Sequence, residues 1–317
     1  MTARPSGAPV ACSSAWACDE SAAADFTAGN DRLGQSRVVV AAERVQVPSI
    51  PLSTRVLRTG KGPPVLLLHG SPDSASEWTR VMAALGDDFT CLAPDLPGLG
   101  ESEEPPPSFD YSRAALSRFL DGLVAALGIQ ERLILVVHDI GGVMGIPWAA
   151  ERLDRIRGVV VTNSVVFENF PWFGIARVWA REDAVGRVQA ALRMRLIGLS
   201  GGFLFRRVFG RISPELQPQD LERMTREFAL NPVAKRSTLR LFRRMVPHAF
   251  FEGVDAMVAR IIARVPTRVV WGRGDPYIPE RYANAFPRAP PRLLERAGHW
   301  VPISSPDEVA AAIRAVA

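Results

Sequence analysis

The sequence predicts an α/β fold: a doubly wound, mostly parallel β-sheet with an inserted helical cap. Short apolar segments that end in Gly/Pro turns alternate with amphipathic helical segments over residues 64–165, and the alternation resumes at residue 267. Between these parts, residues 168–265 contain helical patterns and no convincing strand. We therefore expect an α/β core made of residues 37–167 and 266–317, interrupted by a helical cap at 168–265.

The elements of the first part of the core follow in chain order. Residues 37–47 and 52–60 are predicted as half-exposed strands joined by the turn-like sequence PSIP. The sequence LILVV at 133–137 is apolar throughout, which is typical of a parallel strand buried on both faces of a sheet. The other predictions are strands at 64–70, 89–98, 132–138 and 156–165, which alternate with helices at 75–86, 111–128 and 141–154.

Two helix starts are predicted within the cap. Ser213 precedes Pro214 and Asn231 precedes Pro232, a pattern of an N-cap residue followed by proline at the first helical position. After the cap, the core is expected to resume with a strand at 267–275, a helix at 279–286, a short strand and loop at 292–300, and a closing helix at 305–317.

Composition excludes several classes of protein. With 47% hydrophobic and 22% charged residues, the chain is typical of a soluble globular protein. The net charge of +5 comes almost entirely from scattered arginines without a nucleic-acid-binding motif, so no nucleic-acid partner is expected. Cys12, Cys18 and Cys91 have no CxxC spacing and no nearby histidine, which predicts neither a disulfide framework nor a zinc site.

The cysteine pattern, the hydropathy and the N-terminal segment predict a cytoplasmic location. No segment approaches the roughly 18 uninterrupted apolar residues of a membrane span, and we expect no membrane partner. Residues 1–36 are rich in Ala, Ser, Pro and Gly and lack the apolar centre of a signal peptide, so they are predicted to be a disordered leader or the result of a translation start placed too far upstream.

Four motifs carry the candidate chemistry: HGSP (69–72), HDIGG (138–142), WGRGDPYIP (271–279) and AGHW (297–300). Each follows an apolar strand, and the carboxyl ends of parallel strands are where ligands bind in such sheets. The order of nucleophile, acid and histidine is that of the α/β-hydrolase fold. From about residue 37 onward the chain resembles that family, specifically its aspartate-nucleophile branch, which includes epoxide hydrolases and haloalkane dehalogenases.

The resemblance implies a role for each residue. Asp139 is the nucleophile, His299 the general base, and Asp275 the carboxylate that orients the histidine. The backbone N–H groups of Ser71 and Ile140 form the oxyanion hole.

The neighbours of these groups have other expected roles. The glycines after Asp139 allow a sharp turn, although Val137 stands where such turns have a small residue. His69 and His138 are expected to brace loops by hydrogen bonds.

An aspartate at this turn selects the reaction. Its attack on an ester carbonyl gives an uphill anhydride, whereas its attack on a saturated carbon gives a stable alkyl ester that activated water can cleave. The leaving group is then a halide or the alkoxide of an epoxide.

The leaving group needs a donor, and the usual ones are missing. Haloalkane dehalogenases place a tryptophan directly after the nucleophile, where this chain has Ile140, and Ser71 replaces their Asn or Glu. Epoxide hydrolases use two cap tyrosines, but Tyr111, Tyr277 and Tyr282 lie outside the cap segment. The remaining candidates in the cap are Trp172, Trp179 and His248, with His248 as the proton donor because an imidazolium can transfer a proton.

We therefore predict a cofactor-independent epoxide hydrolase with no metal, acting on a hydrophobic small molecule, with secondary metabolism as an associated role. A haloalkane dehalogenase is the first alternative. A non-hydrolytic enzyme of the same fold or a ligand-binding protein is the second. Whether the chain forms a homodimer stays open.

Overall fold

The computed structural model describes residues 39–172, 174–286 and 288–317, so the predicted leader and two of the cysteines, Cys12 and Cys18, lie outside the described residues. The described chain forms one eight-stranded sheet. Its strands are β1 Ala41–Val47, β2 Leu52–Thr59, β3 Pro64–Leu68, β4 Thr90–Pro94, β5 Leu133–Asp139, β6 Ile156–Ser164, β7 Thr267–Gly272 and β8 Arg292–Leu294.

The order of strands across the sheet is β1-β2-β4-β3-β5-β6-β7-β8. The pairs β1/β2 and β2/β4 are antiparallel, and every other neighbouring pair is parallel. The predicted mostly parallel, doubly wound sheet is therefore confirmed.

Helices cover both faces of the sheet. In chain order they are α1 Thr79–Leu85, α2 Arg113–Ala126, α3 Ile140–Glu151, α4 Gly174–Ala180, α5 Ala184–Leu196, α6 Phe203–Ile212, α7 Pro218–Met224, α8 Pro232–Met245, α9 Val254–Arg264, α10 Val301–Ser304 and α11 Pro306–Arg314. Short 3₁₀ turns lie at Ala75–Trp78, Leu153–Arg155, Leu199–Gly202, His248–Phe250 and Glu280–Ala285, and a π-turn lies at Thr225–Ala229. The helix predicted at 279–286 is thus a 3₁₀ helix.

The two faces of the sheet bury separate hydrophobic clusters. Along β3, Leu66 and Leu68 belong to the cluster shared with α2, α3 and the helical insertion, whereas Val65 and Leu67 belong to the cluster with α1 and α11. Successive side chains of a strand point to opposite faces, so a strand buried on both sides must be apolar at every position. This explains the unbroken apolar sequence of β3 and β5.

Six α-helices, α4 to α9, and no strand lie between β6 and β7 in the described residues. Asn231 caps α8 as predicted, because its Oδ1 accepts hydrogen bonds from the N–H groups of Val233 and Ala234. The prediction that Ser213 caps the start of the helix before α8 is wrong. That helix, α7, begins only at Pro218, and Asp220 accepts a hydrogen bond from the N–H of Gln217 there (3.0 Å).

The sheet positions the site at one edge. Each of the four motifs lies at the carboxyl end of a parallel strand. The strands are β3 for residues 69–72, β5 for 138–142, β7 for 271–279 and β8 for 297–300. None of the described helices has both the length and the apolar character needed to cross a bilayer.

Candidate active site

Asp139 lies at a strained turn between β5 and α3. Its φ is +46° and its ψ is −121°, a conformation that L-residues rarely adopt. Close packing holds it there: a Cβ on Gly141 would lie 2.2 Å from the carbonyl oxygen of Leu68, and one on Gly142 would lie 1.9 Å from Oγ of Ser164. Only glycine fits at both positions, and such stored strain is typical of functional sites.

The bulky Val137 is accommodated by a third glycine. A Cβ on Gly145, one turn into α3, would lie 2.8 Å from Cγ1 of Val137. The space that a small residue usually leaves before the turn is therefore provided from the helix side, and the turn keeps its form.

The Asp139 carboxylate receives a backbone hydrogen bond from the loop after β3. The N–H of Ser71 donates to its Oδ2 at 2.9 Å. Ile140 follows Asp139 as the first residue of α3, and its side chain is buried. The Oγ of Ser71 is also buried and has no hydrogen-bond partner among the described residues. This hydroxyl is a polar group that the sequence analysis did not consider.

His69 braces the same loop. The N–H of Leu96 donates to its Nε2 (2.9 Å), so Nδ1 carries the proton and donates to the carbonyl oxygen of Gly70 (2.7 Å). The ring is thus a neutral bridge between two loops.

Asp275 and His299 form a buried pair. Nδ1 of His299 lies 2.7 Å from Oδ2 of Asp275. Burial disfavours the charged imidazolium, but the charge and hydrogen bond of Asp275, together with the charge of Asp139, outweigh it and raise the pKa of His299 to about 9. Nδ1 therefore carries a proton directed at Asp275, and Nε2 is the nitrogen left for chemistry.

Three further donors hold the Asp275 carboxylate. The N–H groups of Tyr277 and Ile278 donate to Oδ1 (2.7 and 2.9 Å), and Nδ2 of Asn163 donates to Oδ2 (2.7 Å). Burial alone would raise the pKa of Asp275, but His299 and these hydrogen bonds lower it below its ordinary value. The carboxylate thus stays ionised and fixed in orientation. Sequence reasoning missed Asn163, which carries no local signal on β6.

A second buried pair, His138 and Glu77, holds the backbone of His299 in place. Nε2 of His138 donates to the backbone carbonyl oxygen of His299 (3.0 Å), while its Nδ1 lies 3.2 Å from the Glu77 carboxylate. Both side chains of this pair are fully buried. The bracing role expected of His138 agrees with this geometry.

A cavity of about 440 Å³ opens above Asp139 and His299. Residues of the core form its floor, and residues of the insertion form its largely apolar walls. Its lining includes Ser71, Asp139, Val165, Trp172, Ile175, Trp179, Met194, Leu204, Phe205, Val208, Phe209, Phe228, Phe242, Tyr277, His299 and Trp300.

The three predicted donors have different positions. Trp172 and Trp179 line the cavity, and Nε1 of Trp179 is buried without a hydrogen-bond partner among the described residues. His248 does not line the cavity: it is exposed, and its Nε2 lies 3.3 Å from Oδ1 of Asn169. Its predicted role as proton donor is therefore wrong, because an exposed imidazole that does not line the cavity cannot reach a leaving oxygen bound there.

Tyr277 lines the cavity instead, although it belongs to the core. Its ring lies 5.0 Å from that of His299, centroid to centroid. Burial raises the pKa of its phenol to about 12, against a hydrogen bond with Ser213 that acts in the opposite direction. A sequence signal existed, because Tyr277 follows Asp275 by two positions and so must lie near the histidine.

A buried ionic cluster joins the insertion to the loop that carries Ser71. Nη2 of Arg223 donates to Asp73 (3.0 Å), and its Nη1 contacts Asp73 and Glu227 (3.1 Å to the latter). Oγ of Ser74 donates to Glu227 at 2.6 Å. Since all these side chains are buried, the cluster fixes the loop position relative to the insertion.

No group of three or more His, Cys, Asp or Glu in the described ranges is arranged to hold a metal ion. The chemistry available at the site is that of a carboxylate held at a strained turn, a histidine–aspartate pair and backbone N–H donors.

Comparisons with known proteins agree with this geometry. The model of a family described as the alpha/beta hydrolase family matches residues 65–312. A haloalkane dehalogenase of Sphingobium indicum is 30% identical over 285 residues, covering 81% of this chain and 88% of that protein. A cis-3-alkyl-4-alkyloxetan-2-one decarboxylase of Shewanella oneidensis is 28% identical over 271 residues, covering 80% and 81%. The solved structure of the epoxide hydrolase CorEH is 20% identical, covers 86% of this chain and 96% of its own, and has a TM-score of 0.68, a likeness of fold.

Removing the guanidinium of the ionic cluster is expected to destabilise the protein. Arg223→Leu leaves the buried Asp73 without its cation and leaves Glu227 with guanidinium groups only at 4.0 Å, which costs about 3–5 kcal/mol of unfolding free energy. The control is Arg226→Leu, on the same turn, since Arg226 is exposed and 4.0 Å from Glu227; its expected change is within about 0.5 kcal/mol. Equal losses for both variants in denaturant unfolding would contradict the assigned role.

The charge of Asp139 is expected to hold up the pKa of His299. NMR titration of the imidazole should give a value near 9 in the protein and a lower one in Asp139→Asn, because a raising charge is lost. The histidine's ordinary value is 6.5, so its contribution to stability is fully present below that pH and is lost as pH rises through about 9. The exposed Glu43→Gln serves as the control and should leave the value unchanged. The same His299 pKa in all three proteins would refute the coupling.

Proposed function

The chain belongs to the alpha/beta hydrolase family, and from this premise we propose that it is an epoxide hydrolase-like enzyme that opens an epoxide in a hydrophobic substrate through a covalent ester on Asp139. The substrate occupies the apolar cavity between core and insertion.

In the first step, one carboxylate oxygen of Asp139 attacks a ring carbon of the epoxide. The carbon–oxygen bond of the ring breaks, and the leaving oxygen takes a proton from a donor in the cavity. The product is an alkyl ester on Asp139 and a new hydroxyl on the substrate, so the atoms of the epoxide are all retained.

In the second step, the ester has removed the Asp139 charge that raises the pKa of His299, so Nε2 of the imidazole takes a proton from water, which attacks the carbonyl carbon of the ester. The N–H of Ser71, already 2.9 Å from the Asp139 carboxylate, and that of Ile140 hold the developing oxyanion. Collapse releases a diol that receives the proton from His299, and the proton left on the Asp139 carboxyl group returns to the donor used in the first step, so that carboxylate and donor are both restored. Asp275 stabilises the imidazolium in between.

The observation that carries the epoxide assignment is Tyr277, an O–H acid that lines the same cavity as Asp139 and His299. With a pKa near 12, its phenol keeps its proton at neutral pH and is still a stronger acid than the alcohol formed by ring opening. Nε1 of Trp300 donates to Oγ of Ser213 (3.2 Å), and a hydrogen bond with Ser213 acts to lower the pKa of the phenol.

Haloalkane dehalogenation is the second candidate. Nε1 of Trp179 is a buried donor in a residue that lines the cavity, and Trp172 is a second indole there. The relative from Sphingobium indicum supports this chemistry. The side chain of Ile140, however, supplies no hydrogen-bond donor for a halide beside the nucleophile. A pure ligand-binding role is disfavoured, because binding needs no oriented histidine–aspartate pair.

Trapping the ester tests the proposal and separates the two candidates. Loss of the base in His299→Gln should stall the reaction after the first step. Intact mass spectrometry should then show the full mass of an added epoxide, whereas a haloalkane would add its mass less that of the hydrogen halide. Peptide mapping should place the group on Asp139, and the double variant with Asp139→Ala should show none. No adduct from apolar epoxides, together with one from haloalkanes, would overturn the assignment.

Replacing the proposed proton donor is expected to affect one substrate class selectively. Tyr277→Phe should lower kcat/KM for epoxides by about a hundredfold or more, since the alkoxide then leaves without a proton. Haloalkane turnover, which needs no proton at this step, should change little. Tyr282→Phe is the control, because Tyr282 does not line the cavity. Equal activities of the Tyr277 and Tyr282 variants on epoxides would contradict this role.

A further inference from the structure

A broad apolar surface lies exposed on α5, α6 and the turn that joins them. We call it the basic apolar face. Its apolar members, with their exposed fractions, are Val185 60%, Val188 68%, Leu192 55%, Leu196 38%, Leu199 55%, Phe203 58%, Leu204 42%, Val208 47% and Ile212 42%. Contiguous exposed apolar surface of this kind marks an interaction site rather than ordinary surface variation.

The pattern along α5 shows that the face is built, since the helix has two apolar sides. Gly186, Ala190 and Met194 recur every four residues and are buried against the rest of the insertion. Val188 and Leu192 lie on the opposite side of the helix, toward solvent. A helix that is needed only to cover a core has one apolar stripe, so the second stripe calls for another apolar environment.

The same division occurs on α6. Phe205 is buried, whereas Leu204, Val208 and Ile212 recur every four residues and are exposed. The exposed stripes of the two helices therefore form one surface with the turn Leu199–Gly202 between them.

The charged residues of α5, α6 and the turn between them all have one sign. Residues 184–214 contain six arginines and no acidic residue. None of the six forms an ion pair with the described residues, although exposed arginines elsewhere, such as Arg181 and Arg273, do. The six are Arg187, Arg193, Arg195, Arg206, Arg207 and Arg211.

The face also surrounds the opening of the active-site cavity. Leu196, Leu204, Val208 and Ile212 are exposed and line the cavity at the same time. Arg193 lines it as well. An apolar molecule that leaves a surface bound here would enter the cavity without crossing water.

We propose that the basic apolar face binds the surface of a bilayer that contains anionic lipids. An amphipathic helix pair with arginines beside an apolar stripe lies in the headgroup layer, where the side chains of Val188 and Leu192 are buried and the guanidinium groups meet lipid phosphates. Charge complementarity decides against a second copy of this chain, because two such faces would bring twelve unpaired arginines together.

This proposal revises the expectation of no membrane partner. That expectation was based on the lack of a spanning segment, and a helix pair that lies on the surface does not need one. The proposal concerns binding alone, so it does not depend on the reaction proposed above.

Cosedimentation of the full chain with vesicles tests it. Binding is expected to vesicles of phosphatidylcholine with phosphatidylglycerol, to be weaker in high salt, and to be at least tenfold weaker to phosphatidylcholine alone. The pair Arg195→Glu and Arg207→Glu should weaken it about thirtyfold, since each arginine near an anionic surface contributes about fivefold. Neither residue lines the cavity.

The charge-matched control pair is Arg118→Glu and Arg264→Glu, on α2 and at the end of α9, which changes the net charge equally and should bind as the unchanged protein does. The apolar pair Val188→Ser and Leu192→Ser should weaken binding about tenfold. Thermal unfolding of every variant reports whether it is folded.

Three outcomes would overturn the proposal. The first is that the folded protein does not bind anionic vesicles at all. The second is that the control pair loses as much binding as the test pair. The third is that sedimentation velocity shows a dimer that the Val188 and Leu192 substitutions dissociate, with no vesicle binding, which would assign the face to a second copy.

Discussion

The strained turn at Asp139 is the constraint on which the rest of the site depends. It exists only because α3 approaches β3 so closely that Gly141 meets the backbone of Leu68. The same approach brings the loop after β3 within hydrogen-bond distance of the carboxylate, through the N–H of Ser71. Nucleophile and oxyanion donor are therefore positioned by one packing contact. A residue larger than glycine at 141 would separate both at once.

Core and insertion contribute different properties to the site. The core holds the proposed nucleophile, the histidine and its aspartate, and it fixes them with short hydrogen bonds such as that between His299 and Asp275. The insertion supplies apolar walls and the donor Trp179. Since the buried Arg223–Asp73 contact ties the two parts at the Ser71 loop, the walls and the oxyanion donor keep a constant relation.

Sequence periodicity predicted the sheet because buried parallel strands must be apolar at each position, and this fold is confirmed. It also placed the motif residues at one edge, since strand ends meet there. The prediction for His248 failed, because the residue type alone does not say which side of a helical insertion faces a cavity. Tyr277 was set aside because the resemblance directed attention to tyrosines of the cap segment. Asn163 was overlooked because an amide within a strand has no local signature. Contacts of this kind depend on how separate elements pack.

The central claim is that an oxygen of Asp139 becomes part of the product. A single turnover in oxygen-18 water, with enzyme in excess over an epoxide substrate, tests it most directly. Because water attacks the carbonyl carbon of the ester, we expect an unlabelled diol and oxygen-18 in the peptide that contains Asp139. A diol labelled in the first turnover, with an unlabelled Asp139 peptide, would show that water attacks the substrate directly and would contradict the account.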